Sequence, residues 1–565
     1  MGEKFRRLTT NRDNYVTTLG RLFDYSTLSY PKRYISSYVD GSQCYTYKEF
    51  RQRVMSLSHL LSRFSVSAGD RVAILSQNMP NWTIAMFSVV AFGRVVVPIL
   101  TDSSEQEVTN ILLHSETKVI FVSKQCLHKI SPAMRDHLTL IFDIETFELI
   151  KKDDSCYTCE GWVKDPLPDD LAALLYTSGT SGNAKGVMLS HRNLSKNIII
   201  AMHAFHARKT DVWLSVLPMA HTYEMAFSLL LPMFVGARVY YLPKPPAASI
   251  LLSAMKTVHP SVICSVPLII EKVYRGSIVP TIAKSRVLSW MEKHTPNILY
   301  RLVGRRLMHS FGGRIRFFGV GGSKLDETVE TFLHNAHFPY AIGYGLTEMA
   351  PLVTQAAVGH TKVGSIGLPA FEVEVKLQNV NPETGEGEII CRGDNVMLGY
   401  YKDPERTREA ISDDGWFHTN DLAVMDKKGR FYIKGRLNNL ILGPSGENIY
   451  PEEIEMVIND FEGVDESVVV ERDGHLVALV KFGDSFIDWD QTKEDKFFEN
   501  LQATKQSMLD FVNKRVSKKS KISEVEIMKD EFEKTATHKI RRFLYRNAVG
   551  DDVKAKENKT KDNKK

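Results

Sequence analysis

Between about Arg51 and Val122, helix-like stretches alternate with short β-branched runs, "RVAILSQ", "GRVVVPIL" and "TKVIFVS", with glycine or proline at the joints. Strand and helix in alternation argue for α/β layers built on largely parallel strands. The same texture returns at "SVICSVP" and "IRFFGVGG". A chain of 565 residues needs more than one core, since single cores stop growing near ~250 to 300 residues.

Past about residue 365 the texture changes to shorter strands and turns, "GEIICRG" and "GRFYIKGR". After Arg436 comes "LNNLILGPSGENIYPEEIEMVIND", where Pro451 at a helix's first turn, followed by Glu452 and Glu453, makes a favourable start. "SVVVERDGHLVALVKF" reads as a hairpin around Asp473 and Gly474, and "KEDKFFENLQATKQSMLDFVNKRV" as a long helix. The expected organisation is a large N-terminal domain of layered α/β subdomains over 1–435, a small mobile α+β domain over 436–550, and a basic, disordered tail over 551–565.

Hydrophobic residues at 43% and charged residues at 25% describe a soluble globular protein, not a fibrous or disordered one. The net charge of +5 is mild and points to no nucleic-acid partner. Two basic clusters, Lys514 to Lys521 and Lys554 to Lys565, read either as a solvated helix face and a frayed terminus or as attraction to an anionic surface such as a membrane. The opening "MGEKFRRLTTNRDNY" lacks the apolar core of a signal peptide, and the run "MFSVVAFGRVVVPIL" is broken by Arg94. The expectation is a cytoplasmic protein, monomer or homodimer, without a spanning helix. Cys156 and Cys159 form a lone Cys-x-x-Cys, read as incidental thiols rather than a metal or redox site.

The stretch "YTSGTSGNAKGVMLSH", Tyr176 to His191, lies between two apolar, strand-like runs, "LAALLY" and "GVML", and Ser190 is placed to cap a helix beginning at His191. It is not a Walker loop, because Lys185 precedes Gly186 and no helix follows directly, and it is not a nucleophile elbow. Gly179, Gly182 and Gly186 let backbone N–H groups approach an anion, Thr177, Ser178, Thr180 and Ser181 add rotatable donors, and Lys185 adds a cation. The segment therefore suits a cradle for phosphates; a flexible polar hairpin is the other reading of the segment alone.

This loop resembles that of the adenylate-forming superfamily, which includes acyl-CoA synthetases, peptide-synthetase adenylation domains and firefly luciferases. The resemblance spans nearly the whole chain through an ordered set of signatures: "LPMAHTYE" at Leu217, "GGSKL" at Gly321, "YGLTE" at Tyr344, "GEIICRG" at Gly387, "GWFHTNDL" at Gly415, "GRLNNLI" at Gly435, "GPSGENIYPEEIE" at Gly443 and "KTATHKIRR" at Lys534. It implies ATP, Mg2+ and coenzyme A as co-substrates and cofactor. It implies that the 177–185 loop takes the β- and γ-phosphates, with Thr180 assisting the metal. Thr347 would contact the α-phosphate and Glu348 would hold Mg2+.

By the same resemblance, Tyr344 would stack on adenine and Gly321, Gly322 and Ser323 would line a slot for the base. Asp421 would hold the ribose hydroxyls and Arg436 the ribose or phosphate. Lys539 would lie at the seam between substrate carboxylate and α-phosphate, with His221 beside the carboxylate. Asn438 occupies the hinge position, and Gly443, Gly446 and Tyr450 would line a channel for coenzyme A. "LPMAHTYE" with "SVPLIIEKVY" is most similar to the long-chain fatty acid branch, which implies a medium-to-long fatty acid as substrate, with "MAFSLLLPMFVGA" read as plain core or as tunnel wall. A ligase that loads a carrier protein, and a non-catalytic nucleotide or fatty-acid binding protein, are the competing readings. The chain departs from the family pattern at Ser181, Ala184, Leu268, Asn420, Asn438 and His538.

Overall fold

The computed structural model describes residues 17–153, 160–178, 184–244, 247–442, 448–472, 474–483, 486–487, 495–535 and 539–546. Cys156, Cys159, the first sixteen residues and the 551–565 tail lie outside them. The expected α/β layers are present, but the β-branched runs divide between two sheets. Arg71–Leu75, Val95–Ile99 and Val119–Val122 pair in parallel within an eight-stranded sheet. Val262–Ser265 and Phe317–Val320 pair in parallel within a second, nine-stranded sheet. A four-stranded antiparallel sheet follows, containing Gly387–Arg392, Phe417–Met425 and Phe431–Arg436.

Helix Pro80–Val90 shows how the first two sheets are held together. Every one of its residues is buried, the polar Asn81, Thr83 and Ser88 included, as befits a largely apolar helix sandwiched in a core. Helix His191–Ala204 is nearly as deeply placed. Its start obeys the sequence: Asn193 N donates to Ser190 Oγ at 3.1 Å and Ser190 N donates to Asn193 Oδ1 at 2.8 Å, a reciprocal cap. Asn193 Nδ2 then donates to the carbonyls of Asp394 and Val396, at 2.8 and 2.7 Å, so the cap also pins a distant loop.

Arg94, which interrupts the longest apolar run, is wholly buried. Its guanidinium donates to Val66 O at 2.9 and 3.1 Å, Ser58 Oγ at 2.8 Å, Ser62 Oγ at 2.7 Å and Ser88 O at 3.3 Å. Burial pulls its pKa down to about 10, which leaves it charged at neutral pH. A cation is tolerated there because its donors are satisfied by otherwise orphaned carbonyls and hydroxyls.

The small C-terminal domain has its own core of Ile454, Ile458, Val469, Ala478, Met508 and Val525 among others. Strands Val464–Arg472 and His475–Phe482 form the expected hairpin, Glu524–Met528 adds a parallel third strand, and Asp495–Asn513 is the expected long helix. Helix Pro451–Asn459 begins at the expected proline. Among the described residues, no helix is long and apolar enough to cross a membrane.

Candidate active site

Strands Leu171–Ser178 and Ala184–Ser190 pair antiparallel, with Thr177 opposite Lys185 and Ser178 opposite Ala184. The loop therefore does join two strands. Gly179, Thr180, Ser181 and Gly182 lie outside the described residues, as does the side chain of Ser178. Thr177 and Lys185, at the mouth of the hairpin, line a cavity of about 1100 Å³ together with His221, Gly321, Gly322, Ser323, Thr347, Glu348, Arg436, Asn438 and Lys539. An adjoining cavity of about 1320 Å³ shares Gly322, Ser323, Arg436, Asn438 and Lys539, and adds Tyr344 and Asp421. Residues more than three hundred positions apart in the chain thus surround one cleft between the large domain and the small one.

At the base of the hairpin a short strand, Gly399–Tyr400, pairs with Val187 and Met188. It brings the Tyr400 ring beneath Lys185, whose ammonium lies 5.0 Å from the ring centroid. Tyr400 in turn donates to Glu348 Oε1 at 3.0 Å. Burial and the nearby Glu348 charge raise the Tyr400 pKa, so the phenol stays a donor. Thr347 and Glu348 sit on a single 3-10 turn, Thr347–Met349, and the Glu348 carbonyl accepts from Met397 N at 2.8 Å. Tyr400 was not among the residues singled out by sequence. It links the expected cation to the expected metal-holding carboxylate.

On the other side of the cleft, Asp421 and Arg436 are cross-strand partners. Arg436 Nε lies 3.0 Å from Asp421 Oδ1, and Tyr344 donates to Asp421 Oδ2 at 2.6 Å. Burial and the Asp421 charge hold the Tyr344 phenol protonated. Asn420, where the family pattern has glycine, adopts φ +58. That left-handed backbone explains both the usual glycine and the tolerance of asparagine. Nearby, Gly322 also has a positive φ of +93, and a Cβ at Gly321 would stand 3.1 Å from the Gly343 carbonyl. Backbone can approach a ligand closely at both positions.

Lys539 enters from the small domain, with its backbone tied to Thr535 by bonds of 2.8 and 3.2 Å. Its side chain is open to the cleft while protein surrounds it. Desolvation in the cleft and the Arg436 cation lower its pKa, and the Asp421 and Glu348 carboxylates oppose that shift. Two residues on, Arg541 Nη2 meets Glu107 Oε1 of the large domain at 2.8 Å. Glu107 also accepts from Ser104 N at 2.8 Å through its other oxygen, capping its own helix. Arg275 makes a second bridge between the domains, reaching Asp460 Oδ1 at 2.8 Å and Asn459 O at 2.8 Å.

His221 caps the short helix Thr222–Glu224, its Nδ1 accepting from Tyr223 N at 3.3 Å. Burial and then the Lys539 cation push its pKa down to about 4, so the imidazole is neutral at physiological pH. The turn beneath it is braced by wholly buried Glu224, which accepts from Ser215 Oγ at 2.5 Å and Ser228 Oγ at 3.0 Å. Beside His221 the cavity wall is apolar, with Leu217, Tyr223, Phe227, Val266 and Phe317. Most of "MAFSLLLPMFVGA" is plain core: Met225–Leu230 is buried throughout, and of its residues Phe227 lines the cavity. Leu268, another departure from the family pattern, is 54% exposed and puts an apolar side chain on the same wall.

Asn438 lies on the turn Leu437–Asn439 between the domains, and its carbonyl accepts from Arg546 Nη2 at 2.8 Å. Gly443, Gly446 and His538 lie outside the described residues. Tyr450 is not brought to either cavity. It is buried against Gly435, whose Cβ would meet its ring at 2.7 Å, and it donates to Glu386 Oε2 at 2.7 Å.

The AMP-binding enzyme family matches residues 24–401. The peroxisomal long chain acyl-CoA synthetase 6 of Arabidopsis thaliana is 30% identical over 494 residues, covering 80% of this chain and 70% of that protein. A long-chain-fatty-acid–CoA ligase of Mycobacterium bovis is 29% identical over 555 residues, covering 88% of this chain and 90% of that protein. In fold, the chain superposes with a TM-score of 0.74 on the O-succinylbenzoate coenzyme A synthetase of Bacillus subtilis in complex with ATP and magnesium ion, at 21% identity, covering 92% of this chain and 98% of that one. With these matches joined to the cleft that gathers the ordered signatures, the chain belongs to the AMP-binding enzymes, the adenylate-forming superfamily.

Proposed function

We propose that the protein is an acyl-CoA ligase that activates a medium-to-long-chain fatty acid with ATP to an acyl adenylate and passes the acyl group to coenzyme A, releasing AMP and pyrophosphate. The observation that carries the proposal is the arrangement around the cleft between the domains: Lys185, Glu348, Arg436 and Lys539 face one space whose adjoining wall is apolar. A cluster of three cations and a carboxylate suits a polyphosphate with its metal, and the apolar wall suits an acyl chain.

In this reading Asp421 accepts from the ribose hydroxyls with the lone pairs left free by Tyr344 and Arg436, since a carboxylate has about four such sites. The Tyr344 ring, fixed by its bond to Asp421, offers a face to adenine. Lys185 and the Thr177 hydroxyl approach the β- and γ-phosphates. Lys539 stands where carboxylate and α-phosphate meet, and it stabilises the charge of the transition state more than that of the separated reactants. Neutral His221, whose Nδ1 accepts from Tyr223 N, donates from Nε2 to the fatty carboxylate without adding charge.

The residues present fit Mg2+. Glu348 lines the cavity and accepts from Tyr400 through Oε1, so its carboxylate would offer a hard oxygen ligand to the ion, with phosphate oxygens and water supplying the remainder. When bound, the ion neutralises phosphate charge. Asn438 serves as the hinge about which the small domain turns between the two half-reactions.

The test is AMP and pyrophosphate release with ATP and Mg2+, with and without coenzyme A, across saturated acids from butanoic to octadecanoic. A maximum at dodecanoic acid or longer, with a thioester as product, is expected. Pyrophosphate release without thioester would point instead to a ligase that loads a carrier protein, and no release with any acid would contradict the proposal.

A further inference from the structure

Helices Val279–Lys284, Arg286–His294 and Pro296–Ser310 pack one against the next on the flank of the large domain. Their outward faces carry large apolar side chains that no other described residue covers: Val279 is 43% exposed, Val287 67%, Trp290 57%, Ile298 55% and Leu302 47%. Isolated exposed apolar residues are ordinary, but five on consecutive helices mark an interaction surface.

Charge identifies what the surface fits. From Lys272 to Arg314 the sequence holds nine lysines and arginines and one acidic residue, Glu292. Lys284, Arg286, Lys293, Arg301, Arg305 and Arg306 are exposed. On the helix Arg286–His294, Arg286, Val287, Trp290 and Lys293 are all exposed, with Trp290 stacked on His294 at 4.7 Å between ring centroids. On Pro296–Ser310, Ile298, Arg301, Leu302 and Arg305 are exposed while Leu299 and Leu307 are buried. Apolar and cationic side chains therefore share the same faces. An aromatic ring and aliphatic groups flanked by cations match a bilayer interface, where the apolar groups enter the acyl boundary and the cations meet anionic headgroups.

We infer that this three-helix face docks the enzyme peripherally on an anionic lipid bilayer. The face also reaches the site. Helix Pro267–Val273 leads into it, and Leu268 and Lys272 of that helix line the cavity with the apolar wall. A bilayer-held amphiphile would therefore meet the cavity rim from the docked side. The docking does not depend on which acid the enzyme activates, and the two are tested by separate readouts.

The experiment is sedimentation of the full chain with vesicles of phosphatidylcholine alone and of phosphatidylcholine mixed with phosphatidylglycerol, at low and high salt. The variants are Arg301→Glu with Arg305→Glu, Val287→Ser with Trp290→Ser, and, as a control on another basic cluster, Lys518→Glu with Lys519→Glu. Wild type is expected to bind the anionic vesicles in a salt-sensitive manner. The arginine reversal should lower partitioning by at least about tenfold and the apolar pair by several-fold, while the control pair binds like wild type. ATP-dependent turnover of a water-soluble acid should remain in all three, which shows that each is folded. The inference is overturned if wild type ignores anionic vesicles, if it is retained by an acidic polymer such as heparin but not by vesicles, or if the control pair rather than the helix variants abolishes binding.

Discussion

Arg436 and Asp421 face each other across two antiparallel strands, Nε to Oδ1 at 3.0 Å, and Tyr344 completes the group by donating to the second oxygen of the same carboxylate at 2.6 Å. The carboxylate is 4% exposed at the residue level, so its orientation is set before any ligand arrives. Asp421→Asn replaces one acceptor oxygen by a donor amide, and leaves the Arg436 cation without its partner. The KM for ATP is expected to rise by at least about tenfold. Tyr344→Phe keeps the ring and loses one bond, so its effect should stay within about threefold to tenfold. A KM for ATP within about twofold of wild type in Asp421→Asn would separate Asp421 from nucleotide binding.

Arg541 and Glu107 hold the small domain in the position that brings Lys539 to the cleft. Both side chains are partly exposed, 26% and 28%, which keeps the pair weak, roughly 0.5–1 kcal/mol. Glu107→Gln retains the helix cap, because glutamine also serves the capping box. Adenylation measured alone should slow about twofold to fivefold, with thioester formation from added acyl adenylate unchanged. The defect should shrink at high salt, where wild type also loses the pair.

These two pairs mark where the sequence stops being readable. The hairpin that joins Leu171–Ser178 to Ala184–Ser190, the Ser190 cap and the Pro451 start were all legible, because each is specified within a few neighbouring residues. The left-handed backbone at Asn420 was visible only as a departure from a glycine, and its reason needed the dihedral angle. Tyr400, Glu224 and the Glu107 to Arg541 bridge carry no local signature. Their partners lie up to several hundred positions away, and neither periodicity nor turn chemistry encodes such contacts. Tyr450 sits beside a readable loop, yet its ring fills the space over Gly435, so packing rather than local pattern decides where it points.

His191 is wholly buried at the start of its helix, and Leu19 N donates to its Nδ1 at 3.2 Å. Burial drives its pKa down to about 4, from an ordinary value near 6.5. The unfolded chain therefore binds a proton between these values that the native state refuses, so stability rises with pH across this window. The contribution is complete above about pH 6.5 and is lost as pH falls toward 4, on the order of 3 kcal/mol. His191→Asn keeps an acceptor near Leu19 N and removes the titration. Its Tm should fall less between pH 6.5 and 4 than that of wild type; an unchanged acid limb would contradict the assignment.

Arg94→Ala empties the space of a large buried side chain and orphans the Val66 and Ser88 carbonyls. The combined cavity and desolvation cost is roughly 3–5 kcal/mol. Arg94→Lys restores charge but not the fork of donors, so it should recover only part of the loss. Urea unfolding of the three proteins tests the order.

Lys539, carried by the small domain, is expected to act on the adenylation step and not on nucleotide binding. Acid-dependent exchange of pyrophosphate into ATP, measured for wild type and Lys539→Ala beside the Kd for ATP, tests it most directly. Exchange is expected to fall by about a hundredfold to a thousandfold in the variant, with ATP binding within a few-fold of wild type. Wild-type exchange in Lys539→Ala, or loss of exchange that merely follows lost ATP binding, would contradict it.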